Sequence, residues 1–368
     1  MISFLAIVII GILVISVMSG KNLDVVFIPL SIVFLCILMG GNLKNPDTDI
    51  YINMYYQNNF VKDIGFGLLI KLGNHFGLGF YHFKLLISIL GLSMISVSLL
   101  GLVKNKSIFI TLYFIYPFFF DIVQIRNFLC MAFFILGFRF LINEKKSGKF
   151  LFIIFVLLGA SMQKIGLIYL PIVFFKDIYK KKWLKKMAII FILISIIVGL
   201  SDSFLQSFTR NFLFFLEGDL QGLDNYLDRN TRFGWIIFWL EQIISFSIVF
   251  FGRKIMIKKD YNFSISEKAF VNGLYSVNYY MFFFLPLFVL DESFTRIIRN
   301  IMPLNSMMGA ILISYMLTKY SEIKKISKNE LIYILSVILY QVILFLLMKR
   351  TYSDSIITPV LEQNWIWR

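Results

Sequence analysis

Residues 107–142 read SIFITLYFIYPFFFDIVQIRNFLCMAFFILGFRFLI, and the pattern of this stretch indicates the fold class. Two strongly apolar runs, 107–120 and 127–142, are separated by residues 121–126, which include Asp121, Gln124 and Arg126. Apolar runs joined by a short polar loop are typical of helices that cross a lipid bilayer and turn at its surface. The stretch therefore predicts two transmembrane helices whose connecting loop carries an arginine, Arg126, close to the membrane.

The rest of the chain repeats this pattern. Of its 368 residues 59% are hydrophobic, and the mean hydropathy is +0.80, above that of soluble domains. The sequence predicts an all-α fold, a polytopic transmembrane helix bundle of about ten spans in a single integral membrane domain over 1–368. The predicted spans are 2–19, 25–41, 83–103, 107–120, 127–142, 187–200, 233–251, 270–290, 296–318 and 331–348.

Two segments do not fit a simple span. Residues 64–82 are amphipathic and rich in glycine, and 150–175 are apolar but interrupted by Ser161-Met162-Gln163-Lys164. Each half of 150–175 has about 11 residues, too few to cross a bilayer alone, so we expect a broken or re-entrant pair that lines a cavity. Lys164 would place a cation in that cavity. The alternative is one long span from which Lys164 extends to the surface.

The kind of basic residue indicates sidedness. The net charge is +15, but the basic residues are divided among loops, which argues against a nucleic-acid partner. Lysine-rich loops are expected on the cytoplasmic side, and that arrangement puts most arginines outside. Arginine suits bidentate binding of phosphate or carboxylate, so an anion site is expected on the outer face. The outer arginines could instead pair with outer-loop acids. They are Arg126, Arg210, Arg229, Arg232, Arg296, Arg299, Arg350 and Arg368.

The first outer loop contains Asp47, Asp49, Tyr51 and Tyr55 after Pro46. A helix would place Asp47, Tyr51 and Tyr55 on one face, because they are spaced four residues apart. Aromatic rings beside a carboxylate suit sugars, which have apolar C–H faces and hydroxyl groups. The alternative is that the aspartate caps the helix and the tyrosines belong to an interfacial belt.

Other charged residues at membrane depth are candidates because burying a charge in lipid is costly. Arg126 either serves a ligand or pairs with Asp121. Arg296 and Arg299 lie one helical turn apart and could bind one anion together, or pair with Asp291 or Glu292. Glu241 lies in the middle of an apolar run, as a functional acid or as the partner of an intramembrane base.

The sequence indicates no cofactor. It contains no zinc-protease, paired-cysteine, P-loop or dinucleotide motif in a usable context, so neither a metal enzyme nor a nucleotide-driven pump is indicated. An activated substrate, such as a lipid diphosphate sugar, would supply the energy through its leaving group.

These residues resemble the EpsG-type branch of the Wzy-like exopolysaccharide and O-antigen polymerases. Asp47-x-x-x-Tyr51-x-x-x-Tyr55 is similar to the acidic-aromatic signature of that family, and Gly65-Phe66 to the glycine-aromatic pair after it. The later family elements are similar to Gln124-Ile125-Arg126-Asn127, to Met162-Gln163-Lys164 with Tyr169-Leu170-Pro171, and to Phe294-Thr295-Arg296-Ile297. Gln163 stands where the family often has histidine, so a histidine base is not expected there.

The resemblance implies a polymerase of the bacterial cytoplasmic membrane, with membrane lipid around it and a polyprenyl-diphosphate-linked oligosaccharide as substrate. A flippase and a chain-length regulator are the implied protein partners. Arg126 and Arg296 would stabilise the leaving diphosphate, and Asp47 or Asp49 would activate the attacking hydroxyl. Substrate contacts are expected from Lys164, Arg299, Tyr51, Tyr55, Gln163, Gln124 and Glu241.

Two other functions fit parts of the sequence. A transporter or flippase for lipid-linked glycans would also need outer arginines, but it would need a comparable inward-facing anion site as well. A non-catalytic membrane component of a polysaccharide assembly complex would not explain arginines at membrane depth. The sequence does not distinguish a polymerase from an O-antigen ligase-like transferase.

Overall fold

The computed structural model describes residues 24–57, 63–143, 146–199, 234–259, 261–290, 292–323 and 326–367. Within these ranges every regular element is a helix, and β-pairing is limited to one isolated bridge between Asn42 and Asn364. The α-helices of the first half are α1 (Asp24–Gly41), α2 (Thr48–Gln57), α3 (Ile64–His75), α4 (Phe80–Leu99), α5 (Lys106–Ile115), α6 (Phe118–Val123), α7 (Ile125–Leu141) and α8 (Lys146–Met162).

The second half continues the helical pattern with more interruptions. Its α-helices are α9 (Ile172–Phe175), α10 (Lys182–Gly199), α11 (Trp235–Lys258), α12 (Ile265–Met281), α13 (Leu287–Leu290), α14 (Arg296–Arg299), α15 (Met302–Ile323), α16 (Lys328–Tyr352) and α17 (Thr358–Glu362). Short 3₁₀ turns cover Lys164–Tyr169, Phe282–Phe284, Glu292–Thr295 and Trp365–Trp367, and a π turn covers Ser353–Ile357.

The all-helical, apolar fold is that of a helical membrane protein. Four helical segments of the described chain are long and apolar enough to cross a membrane: Phe80–Leu99, Trp235–Lys258, Ser293–Tyr320 and Lys328–Glu362. The shorter apolar helices are Phe27–Gly41, Lys106–Ile115, Ser147–Met162 and Lys164–Phe175. The count of ten spans stays a prediction, and the predicted span 2–19 lies outside the described residues.

Two helices form the centres of the bundle. The side chains of α7 are almost all buried, and α7 packs against α4 on one side and α8 on the other. In the second half, 83% of the spanning window over Ser293–Tyr320 is buried, where α15 packs against α5, α11 and α12. By contrast, only 22% of the α11 window is buried. Therefore α11 presents most of its surface outward, as a helix against lipid does.

Proline residues explain where several predicted spans stop. The predicted span 107–120 is two helices, because α5 ends before Pro117 and α6 begins after it. The predicted span 270–290 likewise ends early, at Met281, ahead of Pro286. A proline ring removes a backbone donor and clashes with the preceding turn, so an unbroken helix is unfavourable at both places.

Segments 64–82 and 150–175, which did not fit a simple span, are each divided into separate helical elements. Residues 64–82 are not one amphipathic element: α3 ends at His75, Gly77 takes a positive φ of 67°, and α4 already begins at Phe80. The break in 150–175 is confirmed, because α8 ends at Met162 and a 3₁₀ turn starts at Lys164. The first half is longer than expected, because α8 begins at Lys146.

Candidate functional site

A network of short-range hydrogen bonds fixes the first outer loop. The Thr48 hydroxyl accepts from the Asn45 backbone N–H at 2.9 Å, and the Asn45 side-chain oxygen accepts from the Asp47 N–H at 3.0 Å. These contacts form the turn that starts α2, so the Asp47 carboxyl lies at the N-terminal end of that helix. The predicted helix over this motif is confirmed.

The two tyrosines share the buried face of α2, as their spacing predicts. Tyr51 lies edge-on to Phe66, with ring centroids 6.1 Å apart. Tyr55 is fully buried against Phe83, and its hydroxyl donates to the Leu78 carbonyl at 2.6 Å. Tyr55 therefore fixes α2 to the start of α4, and its ring does not form an open platform for a sugar.

Asp63 connects three elements of the bundle. Its Oδ2 lies 2.7 Å from an Arg126 guanidinium nitrogen, and its Oδ1 accepts from the Lys164 backbone N–H at 3.2 Å. Asp63 stands directly before α3, Arg126 begins α7, and Lys164 begins the 3₁₀ turn after the helix break. The pairing of Arg126 with Asp121 is wrong for this structure, because Asp121 instead accepts from the Tyr113 hydroxyl at 2.8 Å.

Asp63 was not among the predicted site residues. The residue follows Lys62 in a mixed polar loop and belongs to no local pattern. Its partner Arg126 is 63 positions away, and helical spacing gives no information over that separation. The one usable signal was its place two residues before the Gly65-Phe66 pair.

Gln124 and Arg126, two residues apart, each take part in a contact of an arginine side chain. Arg126 is anchored on Asp63, and its guanidinium lies over the Tyr51 ring, 5.9 Å from the ring centre. Gln124 accepts a hydrogen bond from the Arg299 guanidinium, which lies 4.5 Å from the centre of the Phe120 ring. The Nε atoms of Arg126 and Arg299 are buried and have no hydrogen-bond partner among the described residues. Buried donors without partners are costly, so both cations are prepared for an additional acceptor.

Two asparagine residues fix the position of α14, the short helix that carries Arg296 and Arg299. The side chains of Asn127 and Asn300 exchange two hydrogen bonds of 2.8 and 2.9 Å between the start of α7 and the end of α14. The Tyr169 hydroxyl donates to the Ile297 carbonyl at 3.1 Å. The short helix that carries Arg296 and Arg299 is therefore attached to both α7 and the 3₁₀ turn. Arg296 donates from its Nε to the Ser293 carbonyl at 2.7 Å.

The charges of three arginines act on the Asp47 carboxyl. Burial raises the pKa of Asp47 above its usual value, and the charges of Arg296, Arg126 and Arg299 oppose that rise. The turn before α2 therefore lies within electrostatic range of the start of α7 and of α14. A carboxylate with a raised pKa accepts a proton more readily than an ordinary aspartate.

The helix break completes this region. Gln163 separates α8 from the 3₁₀ turn, and its side-chain oxygen is buried and without a partner among the described residues. A methyl group at Gly65 would collide with the side chains of Ser161 and Met162, so glycine lets α3 approach the break closely. The Lys164 side chain is half-buried.

Other predicted residues lie apart from the Asp47 region. Asp49 is exposed on α2. Glu241 lies on α11, where its carboxylate accepts from the Tyr116 hydroxyl at 3.4 Å, and the Arg299 charge reaches it. Arg210, Arg229, Arg232, Arg368 and Asp291 lie outside the described residues. The structure thus joins Arg126 and Lys164 through Asp63, places Tyr51 beneath Arg126, and joins Gln124 to Arg299. Gln163 lies directly before Lys164, and Asp47 lies within the influence of Arg126, Arg296 and Arg299.

Comparison with known proteins agrees with the resemblance seen in the motifs. No curated protein and no solved structure matches the chain significantly. The sequence profile of the EpsG family, however, matches residues 25–358, which include the whole region around Asp63 and nearly all of the described helices. The chain therefore belongs to the EpsG family.

Proposed function

We propose that this protein is a polysaccharide polymerase of the bacterial cytoplasmic membrane. It joins polyprenyl-diphosphate-linked oligosaccharide repeats on the outer face and releases polyprenyl diphosphate. Membership of the EpsG family supports a role in exopolysaccharide synthesis, and the helical, apolar fold supports a substrate carried by lipid. The observation that carries the proposal is the pair of buried guanidiniums held at the start of α7, Arg126 by Asp63 and Arg299 by Gln124, each with an Nε that has no partner among the described residues.

The chemistry requires a base and a cationic site for the leaving group. A sugar hydroxyl of the acceptor attacks the anomeric carbon of the donor, and a new C–O bond forms. The bond between that carbon and the diphosphate oxygen breaks, and the oxygen keeps the electron pair. The hydroxyl proton is transferred to a carboxylate. Negative charge therefore grows on the diphosphate, where preorganised arginines stabilise it most.

Each role has a residue in the described site. Asp47 serves as the base, since its pKa is raised and it lies at the start of an outer-loop helix. Arg126 and Arg299 bind the diphosphate, because each has a buried Nε without a partner among the described residues. Arg296 adds a third positive charge near Asp47. Tyr51 is buried between Arg126 and Phe66, so it positions the Arg126 guanidinium and does not contact the sugar.

Reconstitution tests the proposal. The purified protein in lipid vesicles is incubated with its cognate polyprenyl-diphosphate repeat unit, followed by a ladder gel and an assay for released polyprenyl diphosphate. Arg126→Ala is expected to lower the rate about 10²-fold or more, since it removes a donor to the leaving group. Arg350→Ala, which removes an exposed arginine from the end of α16, is the matched control and keeps the rate.

Three outcomes would contradict the proposal. A full ladder from Arg126→Ala at normal protein level would remove Arg126 from the mechanism. Substrate that crosses the bilayer without being joined would indicate a flippase. Transfer of a finished glycan to a different lipid, without a ladder, would indicate a ligase-like transferase.

A further inference from the structure

A groove between α11 and α16 runs along the outside of the bundle. It encloses about 1000 Å³ and is lined mainly by apolar side chains. The residues on its walls recur every three or four positions on both helices, so each helix presents one continuous stripe to it. Many of these wall residues are about half exposed, including Ile237, Leu240 and Ile244 on α11 and Ile332, Leu339 and Ile343 on α16.

The groove is long enough to hold a lipid chain across the hydrocarbon thickness of a membrane. Its lining extends on α11 from Ile237 to Lys258, a rise of about 31 Å. This length is close to the roughly 30 Å hydrocarbon thickness of a bilayer. Lysines 254, 258 and 259 line the opposite end from Ile237, where they would meet the headgroups of the inner leaflet.

The outer end of the groove touches the arginine site. Phe120 and Tyr116 line the groove, and the Arg299 guanidinium lies 4.5 Å from the centre of the Phe120 ring. The Phe120 side chain thus lines the apolar groove and also contacts a cation with a spare donor. Glu241, beside Tyr116, is the one carboxylate among the described residues of the lining.

We propose that this groove binds the isoprenoid chain of the lipid-linked donor, with its diphosphate at Arg299. The inference rests on the proposed function, and it adds where the lipid enters and what part of it the protein recognises. The ligand has an anionic head and a long, branched, apolar tail. The arrangement matches both parts in order, a cation at the outer end followed by a stripe of branched aliphatic side chains.

Photolabelling tests the groove without requiring the reaction. The full-length protein is reconstituted in phosphatidylglycerol vesicles with an undecaprenyl diphosphate that carries a diazirine on its isoprenoid chain. We expect labels on α11 and α16, competed by unmodified undecaprenyl diphosphate and not by added short-chain phosphatidylglycerol. Farnesyl diphosphate, which fills only the outer end, is expected to compete about tenfold less well because it buries less apolar surface.

Variants that fill the groove provide a second measurement. Ile244→Trp and Leu339→Trp are expected to remove the preference for the long chain over farnesyl diphosphate, while farnesyl diphosphate still binds. A misfolded protein would lose both ligands, so this result separates filling from unfolding. The control is Leu86→Trp, on the exposed side of α4 and away from the groove, which keeps the preference.

The outcomes distinguish this inference from the proposed function. Labels elsewhere, or equal competition by phosphatidylglycerol, would overturn the groove as the isoprenoid site. Polymer synthesis alongside any of these results would leave the polymerase proposal standing. Specific labelling of the groove without polymer synthesis would instead retain the lipid site and overturn the polymerase.

Discussion

At the scale of single residues, Asp63 connects more of the outer site than any predicted residue does. It binds Arg126 through one oxygen and the backbone of Lys164 through the other. Its side chain is only 7% exposed, against 24% for Arg126, so the ion pair is largely shielded from water. In such surroundings the loss of one partner leaves an uncompensated charge, which is more costly than the loss of the pair.

We expect Asp63→Asn to destabilise the protein by about 3 to 5 kcal/mol, because Arg126 remains without its counter-ion. Adding Arg126→Gln should recover part of that stability, since the lone charge is removed, but not activity. Thermal unfolding of the two single variants and the double variant measures the coupling. Asp354→Asn, a change at an exposed acid, serves as the control. Equal melting temperatures for Asp63→Asn and Asp354→Asn would refute the structural role.

The pH dependence of the reaction should follow Asp47. A base must be ionised, so activity is expected to fall as the pH drops through the raised pKa of Asp47. Arg296 lowers that pKa by its charge, so Arg296→Gln should raise the pKa further and move the acid limb of the rate profile to higher pH. Arg350→Gln should leave the limb in place. A limb that stays put or moves to lower pH in Arg296→Gln would exclude Asp47 as the base.

Local sequence pattern predicted part of this site and not the rest. Arg126 and Arg299 stood out because a charge beside an apolar run is costly anywhere along a membrane chain. The α2 motif was predictable because a period of four residues specifies a helical face. The Asp63–Arg126 and Gln124–Arg299 contacts join residues 63 and 175 positions apart, so they follow only from tertiary packing.

At the scale of elements, the close approach of α3 to the break after α8 positions both Asp63 and Lys164. We expect Gly65→Val to separate these elements, because even a methyl group meets Ser161 and Met162. The cost should be about 1 to 3 kcal/mol with a large loss of activity, measured by thermal unfolding and the ladder assay. Gly79→Ala is the control, since its methyl group would lie 3.7 Å from His82 Nδ1. An unchanged melting temperature for Gly65→Val would contradict this packing.

The elements themselves were partly predictable. The break at 161–164 was visible because polar residues interrupt an apolar run, and it is confirmed. The early ends of α5 and α12 were not predicted, although Pro117 and Pro286 stood in the sequence. Proline is tolerated in some membrane helices, and Pro29 lies inside α1, so its presence alone does not decide where a helix ends.

At the scale of the whole molecule, the described C-terminal segment returns to the first outer loop. The Asn364 side chain donates to the Ile37 carbonyl at 2.8 Å, and Asn42 donates to the Pro359 carbonyl at 3.2 Å. The buried Lys84 ammonium donates to the Asn42 carbonyl at 3.0 Å. This polar cluster therefore joins α1, α4 and the end of the chain beside the turn that places Asp47.

We expect Asn364→Ala to lower stability by about 1 to 3 kcal/mol, because buried polar groups of α1 lose their partner. Gln363→Ala is a matched control, because Gln363 contacts Leu43 through its backbone carbonyl, at 2.8 Å, which alanine retains. Thermal unfolding in detergent compares the two variants. If both melted at the same temperature, the return of this segment would contribute nothing to stability.

The unequal burial of the spanning helices has a consequence for the surrounding membrane. The window over Ser293–Tyr320 is held by protein on most sides, whereas α11 and the Lys328–Glu362 segment are 22% and 33% buried. Their depth and tilt are therefore set largely by bilayer thickness, through hydrophobic mismatch. Thinner or thicker membranes would tilt the two walls of the groove differently while the arginine site stays fixed. The rate of the proposed reaction would thus depend on the acyl-chain length of the host lipid, even at constant temperature and substrate concentration.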